Sequence, residues 1–276
     1  MSLIIQQTLE LCQMYGIKPQ KSKGQNFLIN EEVYERIIES ADLSSKDTVL
    51  EVGPGLGFLT FKMASKAKKV IAVELDSKLV DILNILIKSK SQKNIKIFNK
   101  DILTAKGENF KKISPYKIVS NLPYNITSVF LRKILSLENK QKIIILLLQK
   151  EVVDRIISQP PKMSLLSLSV QFYAQAELMF DVSRDNFYPA PKVDSAVIKI
   201  TPNKKLLPDY KSEKEFFKLL RIAFSAKRKM LKNNLATGLK ISVEEVEKKL
   251  EKVNLDKKIR AEQLSLDNWL KLFELF

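Results

Sequence analysis

The order of secondary structure that the sequence predicts is the feature that most constrains the fold. From Thr48 onward, short β-branched and aliphatic runs alternate with helical stretches. The predicted strands are VLEVG at 49–53, VIAVE at 70–74, NIKIF at 94–98, KIVSN at 117–121 and KIIILLL at 142–148. Strands that alternate with helices form a parallel sheet covered on both faces. Two later candidates, at 176–183 and 196–202, are separated by a Pro-containing turn and are predicted to form an antiparallel pair at one edge.

The strand pattern stops after Pro202, and the remaining chain is helical by periodicity. Ser242 and Glu245 form a capping box before an amphipathic run. The chain has 276 residues, 45% of them apolar, which is enough for one full-sized core and a smaller unit. We therefore predict a Rossmann-like α/β domain over residues 1–204, including an N-terminal lead-in, and a small all-α domain over residues 205–276.

Composition excludes several kinds of chemistry. Cys12 is the only cysteine and the chain has no histidine, which excludes an internal disulfide, histidine-ligated zinc and serine or cysteine triads that need histidine. The longest apolar runs, such as 143–148, are far shorter than the roughly 20 residues of a membrane-spanning helix. The lone cysteine fits a reducing compartment, so we expect a cytoplasmic protein.

The net charge of +16 is typical of a protein whose partner is a polyanion, such as nucleic acid or an anionic membrane. A lysine-rich composition can also reflect the base composition of a genome. Charge alone leaves both interpretations open.

A cluster of glycines follows the first predicted strand. Gly53, Gly55 and Gly57 lie within five residues, although the chain has only seven glycines. Glycine at the end of a strand lets the backbone turn sharply and approach a ligand, with the amide end of the next helix facing it. A dinucleotide fingerprint needs another glycine at position 58, which is Phe58, so nicotinamide binding is disfavoured. A tight turn without a ligand is the alternative.

Two acidic residues follow the next two strands. Glu74 ends the second strand, where a carboxylate can accept both ribose hydroxyls of an adenosine. Asp101 follows the third strand, at a place that suits the rim of an adenine. Because the carboxyl ends of parallel strands meet at one edge, we expect the glycine loop and both acids to face one crevice.

The segment SNLPYN at 120–125 ends the fourth strand and is the most specific motif in the chain. Methyl transfer to the exocyclic amine of adenine is difficult because the nitrogen lone pair is delocalised into the ring. Two hydrogen-bond acceptors, the side-chain carbonyl of Asn121 and the backbone carbonyl of Leu122, can hold the amine in a more tetrahedral geometry, while Tyr124 stacks on the base. Phe187 can close the other face of a flipped base. A structural turn is the alternative for SNLPYN, and an ordinary Pro-rich connection for the segment around Phe187.

Together these motifs resemble the KsgA-type ribosomal RNA adenine dimethyltransferases, which are related to the Erm methyltransferases. The resemblance covers most of the chain and rests on KSKGQNFLIN (21–30), VLEVGPGLGFLT (49–60), VIAVELD (70–76), NKDIL (99–103), SNLPYNI (120–126), FYPAPKVDSAV (187–197) and FSAKRKMLKNNL (224–235). The last segment departs mildly from the family, since Ser-Ala-Lys precedes Arg228 where relatives often carry more arginine.

The resemblance implies a class I methyltransferase that uses S-adenosylmethionine. Its substrate would be two adjacent adenosines in a hairpin near the end of small-subunit rRNA, each receiving two methyl groups, and its role would lie in small-subunit biogenesis. The implied cofactor-binding residues are Asn26, Leu28, Gly53, Gly55, Glu74, Asp101 and Asn121. The target base would be held by Asn121, Leu122, Tyr124 and Phe187.

Three alternatives stay open. The chain can be an assembly or transcription factor of the same fold with secondary or lost activity, although Asn121 and Tyr124 argue against loss. An Erm-like enzyme acting on large-subunit rRNA shares the chemistry, but the complete C-terminal domain favours the small-subunit enzyme. A small-molecule methyltransferase would not explain a basic helical domain.

The stretch from Arg221 to Asn234 contains five cations and no acid, whereas the flanking helices balance lysine with glutamate. We predict that these cations contact rRNA phosphates: Arg221, Lys227, Arg228, Lys229 and Lys232. A solvated basic face is the alternative, in which case the lead-in around Lys18, Lys21 and Lys23 is the next candidate. We expect a monomer that acts on rRNA, within a partly assembled subunit.

Overall fold

The computed structural model describes residues 3–20, 24–104, 116–137, 141–203 and 210–276. Its helices are α1 (Leu3–Met14), α2 (Glu31–Ala41), α3 (Phe58–Lys66), α4 (Ser77–Ser89), α5 (Thr127–Leu135), α6 (Lys150–Ile156), α7 (Leu165–Tyr173), α8 (Tyr210–Ala223), α9 (Leu231–Leu239), α10 (Val243–Lys252) and α11 (Leu266–Phe273). Its strands are β1 (Phe27–Leu28), β2 (Thr48–Val52), β3 (Lys69–Glu74), β4 (Ile95–Asn99), β5 (Lys117–Asn121), β6 (Ile144–Gln149), β7 (Ala174–Val182), β8 (Phe187–Tyr188) and β9 (Ser195–Pro202). No described helix is long and apolar enough to cross a membrane.

The main sheet has the strand order β4-β3-β2-β5-β6-β9-β7. Strands β2 to β6 pair in parallel, and β9 pairs antiparallel with β6. The predicted parallel sheet is therefore confirmed, and the two later strands are neighbours at one edge. A separate short pair, β1 with β8, ties the N-terminal lead-in to the segment before β9.

Local sequence explains where the elements begin. The central strands are apolar on both faces, and in β6 every residue from Ile144 to Leu148 is buried. Asn30 caps α2 by accepting the Val33 amide, and Asp76 caps α4 by accepting the Lys78 amide. Asp76 caps its helix just after β3 of the main sheet, and Asn30 caps its helix just after β1 of the short pair.

The chain divides into two compact units. Unit 1 comprises Met1–Val153 and Ala176–Pro202, and unit 2 comprises Asp154–Gln175 and Asn203–Phe276. The sequence places 154–175 in the first domain, whereas this segment clusters with the helices of the second. The reason is apolar packing: Phe172 of α7 stacks on Phe216 of α8, with ring centroids 5.2 Å apart, in a core that includes the buried Trp269.

Candidate active site

The glycine loop lies between β2 and α3 in a conformation that only glycine adopts without strain. Gly53, Gly55 and Gly57 have φ values of 68°, 59° and 86°. A Cβ atom on Gly57 would lie 2.4 Å from Leu83, and one on Gly53 would lie 3.1 Å from Pro123. The loop therefore presents bare backbone to the edge of the sheet at the start of α3.

The Glu74 carboxylate lies against this loop. Its two oxygens accept the backbone amides of Gly55 at 3.3 Å and Asp76 at 2.9 Å. Burial raises the pKa of Glu74, and the amide hydrogen bonds partly offset this effect. The carboxylate is thus fixed in direction beside the glycine loop.

A cavity of about 240 Å³ opens at the carboxyl ends of β2, β3 and β5. Most of the sequence-predicted residues of unit 1 line it together: Asn26, Leu28, Gly53, Gly55, Glu74, Asp101, Asn121, Leu122 and Tyr124. The carboxyl ends of four strands, β2, β3, β4 and β5, and the N-terminal lead-in thus converge on one site.

The Asn121 amide is oriented by the lead-in. Its Nδ2 atom donates to the Asn26 carbonyl at 3.4 Å, which fixes the side-chain carbonyl as the remaining acceptor. The Leu122 amide donates to the Leu147 carbonyl at 3.3 Å, and no described residue donates to the Leu122 carbonyl. These two acceptors are next to each other in the chain, at the end of β5.

Tyr124 is the first residue of a short 3₁₀ helix, Tyr124–Ile126, and lines the cavity. Its hydroxyl lies 2.8 Å from the hydroxyl of Ser195, the fully buried first residue of β9. Burial raises the pKa of the phenol, so it stays neutral and hydrogen-bonded at physiological pH. The far end of the ring is therefore held by β9, which lies two strands from β5 in the sheet.

Phe187 occupies a different place from the expected one. It is 3% exposed, pairs with Leu28 between β8 and β1, and packs in the hydrophobic core with Val33 and Val197. It does not line the cavity. The structure therefore brings Tyr124 to the site without the second aromatic face that the sequence suggested.

Two residues of the site were missed by the sequence motifs. Glu51 lies in β2, is 2% exposed, lines the cavity and accepts the Thr60 hydroxyl at 2.6 Å. Burial raises the pKa of Glu51 to about 8, with a smaller contribution from the charge of Glu74. Ser195 lies within the segment FYPAPKVDSAV, whose sequence indicates no role for this residue. An acidic residue in an otherwise apolar strand was the available signal for Glu51.

In the basic segment of unit 2, from Arg221 to Asn234, some cations are exposed and one is already in an ion pair. Arg221, Lys227, Arg228 and Lys229 are exposed, whereas Lys232 forms an ion pair with Glu247 at 2.5 Å. The turn that carries Lys227, Arg228 and Lys229 is held by a residue outside this set. The buried Asn234 side chain donates to the carbonyl of Ala223, the last residue of α8, at 2.7 Å and to that of Ala226, in the turn, at 3.1 Å. Lys18 is exposed, while Lys21 and Lys23 lie outside the described residues.

Comparison with known proteins decides the family. The family model described as "Ribosomal RNA adenine dimethylase" matches residues 16–276. The chain belongs to this family. Among similar proteins, "Ribosomal RNA small subunit methyltransferase A" from Dehalococcoides mccartyi is 42% identical over 98% of this chain and 92% of its own length. The protein of the same name from Bacillus pumilus is 36% identical over 96% of this chain and 94% of its own length.

Solved structures agree with this rRNA adenine dimethylase fold. A dimethyladenosine transferase from Plasmodium falciparum is 27% identical with a TM-score of 0.75, covering 89% of this chain and 95% of that one. The 23S rRNA methyltransferase ErmE is 26% identical with a TM-score of 0.72, covering 91% and 99%. These findings confirm the Rossmann-like fold, the class of enzyme and its methyl donor, S-adenosylmethionine.

The residues of this rRNA adenine dimethylase fit the donor. The glycine loop and the buried Glu74 carboxylate line one cavity, where the loop backbone and the carboxylate would hold the adenosine part of the donor. When bound, S-adenosylmethionine supplies an electrophilic methyl group on a sulfonium. The Glu74 carboxylate lines the same cavity and, when ionised, would favour that positive charge.

Proposed function

We propose that this protein dimethylates the exocyclic amines of two adjacent adenosines in a hairpin near the 3′ end of small-subunit rRNA. One observation carries the proposal: the two acceptors Asn121 and Leu122 share a cavity with the glycine loop and Glu74. The relatives from Dehalococcoides mccartyi and Bacillus pumilus are both named small-subunit methyltransferases, which supports the small subunit as the source of the RNA.

The chemistry follows from the acceptors. The target amine would donate one hydrogen bond to the Asn121 side-chain carbonyl and one to the Leu122 backbone carbonyl. Both bonds draw the nitrogen toward a tetrahedral geometry, so its lone pair becomes available to attack the methyl carbon. The proton that the amine loses passes to solvent after transfer, so the absence of histidine is no obstacle.

Tyr124 would stack on the flipped base, since its ring lines the cavity and its hydroxyl is held by Ser195. On the cofactor side, Asn26 and Leu28 would enclose the ligand with Gly53, Gly55 and Asp101. That Phe187 contacts the target base stays a proposal, which rests on the motif alone.

The RNA would contact unit 2 through Arg221, Lys227, Arg228 and Lys229. Lys232 is a weaker candidate because contact with a phosphate would have to compete with its ion pair to Glu247. We further propose that the protein acts as a monomer on a partly assembled subunit in the cytoplasm. The match of relatives over nearly the whole chain supports a shared mode of RNA binding.

The test is methyl transfer with purified components. The protein, S-adenosylmethionine and unmodified small-subunit rRNA or small subunits are combined, and the RNA is digested for nucleoside mass spectrometry. Dimethyladenosine should form with the wild type and not with Asn121→Ala, which controls for contaminating enzymes. Product on large-subunit rRNA alone would favour the Erm-like activity, and tight binding without product would favour a pure assembly factor.

A further inference from the structure

A second concentration of unpaired positive charge lies in unit 1. Two turns carry it: the one between α3 and β3, and the one between α4 and β4. The basal cluster is the set of exposed lysines on these turns, namely Lys66, Lys68, Lys69, Lys90 and Lys93. These turns precede β3 and β4, so the cluster lies at the amino ends of the strands.

Hydrogen bonds hold the two turns together. Asn94 donates through its side chain to the carbonyls of Ala64 at 2.8 Å and Ala67 at 3.0 Å, and its own carbonyl accepts the Val70 amide at 2.9 Å. The lysines of the two turns therefore belong to one continuous surface.

None of the lysines of the basal cluster forms an ion pair with a residue that the structure describes. The glutamates of α2 pair with Lys62, Glu35 at 2.7 Å, although the charge of Lys66 also helps to lower the pKa of Glu35. Some lysines elsewhere are paired, as Lys257 is with Glu251 at 2.6 Å and Lys218 with Glu215 at 3.4 Å. Others, such as the exposed Lys248, Lys252 and Lys258, form no ion pair with a described residue either. The basal cluster differs from them in bringing five exposed lysines onto two turns that hydrogen bonds join. Five neighbouring like charges repel one another, and a bound polyanion removes that repulsion.

The position of the basal cluster separates it from the active site. Lys69 begins β3 and Glu74 ends it, and at about 3.3 Å per residue the two ends lie roughly 17 Å apart. An adenosine that enters the cavity brings its own stem to the carboxyl edge of the sheet. The amino edge would face a different part of the RNA.

We propose that the basal cluster is a second RNA-binding surface, which contacts the phosphate backbone of an rRNA segment separate from the target hairpin. Lysine, a point charge on a flexible stem, suits sequence-independent phosphate contact. The inference rests on the proposed function, because that function makes a large RNA the substrate. It adds that recognition extends beyond the hairpin that is methylated.

The test compares binding of two variants to three substrates across a salt series. The basal variant is K68Q/K69Q/K93Q, and the matched control is K248Q/K252Q/K258Q, which removes the same charge from exposed positions of unit 2. The substrates are a short RNA with the target hairpin, full-length small-subunit rRNA, and the assembled small subunit. S-adenosylmethionine affinity and circular dichroism verify that each variant is folded.

The basal variant should bind the short hairpin like the wild type. Its affinity for full-length rRNA should fall about tenfold, and the slope of log affinity against log salt should fall by roughly two units, since each phosphate contact contributes about 0.7 to 0.9. The control should lose much less.

Three results would overturn the proposal: unchanged binding to full-length rRNA, an equal loss in the control, or an equal loss on the short hairpin. A loss confined to the assembled subunit would also overturn it, because the partner would then be a ribosomal protein. Methylation by the wild type is scored separately. Absence of product would refute the proposed function, whereas normal methylation with unchanged binding by the basal variant would refute only the second surface.

Discussion

Replacing Glu51 with glutamine should remove a pH dependence from the stability of this protein. The carboxyl is 2% exposed, and its one hydrogen bond from a described residue is the Thr60 hydroxyl at 2.6 Å. Burial raises the pKa of Glu51 to about 8, the charge of Glu74 adds to the increase, and the Thr60 bond opposes it. Glutamine keeps an acceptor for Thr60 but cannot ionise.

The sign follows from proton binding. The pKa of glutamate in an unfolded chain is about 4.3, so between about pH 5 and 8 the folded protein holds one proton at Glu51 that the unfolded chain has released. The stabilisation is full below the unfolded pKa and is lost as the pH rises through the folded pKa. The free energy of unfolding should therefore fall by about 1.4 kcal/mol per pH unit relative to the variant, or roughly 2 to 3 kcal/mol from pH 5.5 to 7.5.

The assay is urea unfolding of the wild type and Glu51→Gln at pH 5.5, 6.5 and 7.5, followed by circular dichroism. The chain has no histidine, so few other side chains titrate in this range. Glu32→Gln, at an exposed position of α2, is the matched control and should follow the wild type. Parallel pH profiles for the wild type and Glu51→Gln would refute the reasoning, because Glu51 would then be ionised in the folded protein.

Four further outcomes are expected. Glu74→Ala should weaken S-adenosylmethionine binding tenfold to over a hundredfold by calorimetry, because charge-assisted hydrogen bonds are worth about 1.5 to 3 kcal/mol. Unchanged affinity in a folded variant would show that Glu74 does not bind the ribose. Asn121→Ala should lower single-turnover methylation about a hundredfold or more while RNA still binds, since its carbonyl matters most in the transition state; a rate near wild type at saturating cofactor would contradict this. Ser195→Ala should lower turnover about fivefold, because the Tyr124 hydroxyl loses one neutral hydrogen bond of about 1 kcal/mol. If Ser195→Ala lowered turnover equally in a protein that already carries Tyr124→Phe, the effect would not act through this hydrogen bond. Neutralising Arg228 and Lys229 together should reduce the salt slope of rRNA binding by roughly one to two units without changing cofactor affinity; an unchanged slope would move this contact elsewhere, most directly to the lead-in around Lys18.

Much of the fold was predictable because its signals are local. Apolar strands that alternate with helices predict a parallel sheet, and the cluster of three glycines predicts the sharp turn after β2. The grouping of 154–175 with unit 2 depends on which apolar faces meet in space, as Phe172 and Phe216 do. No periodicity along the chain contains that information.

The site shows the same division. Gly53, Glu74 and Asn121 were predictable because each ends a predicted strand, and parallel strands bring their carboxyl ends together. The core position of Phe187 and the ion pair of Lys232 depend on neighbours distant in sequence. A basic stretch without acids therefore indicated where cations concentrate but not which of them is already paired.

The central claim is dimethylation of small-subunit rRNA, and nucleoside mass spectrometry of rRNA from cells that lack this protein tests it most directly. Dimethyladenosine should disappear from small-subunit rRNA, remain unchanged in large-subunit rRNA, and return when the wild type but not Asn121→Ala is restored. Dimethyladenosine that persists in the small subunit, or is lost only from the large subunit, would contradict the account.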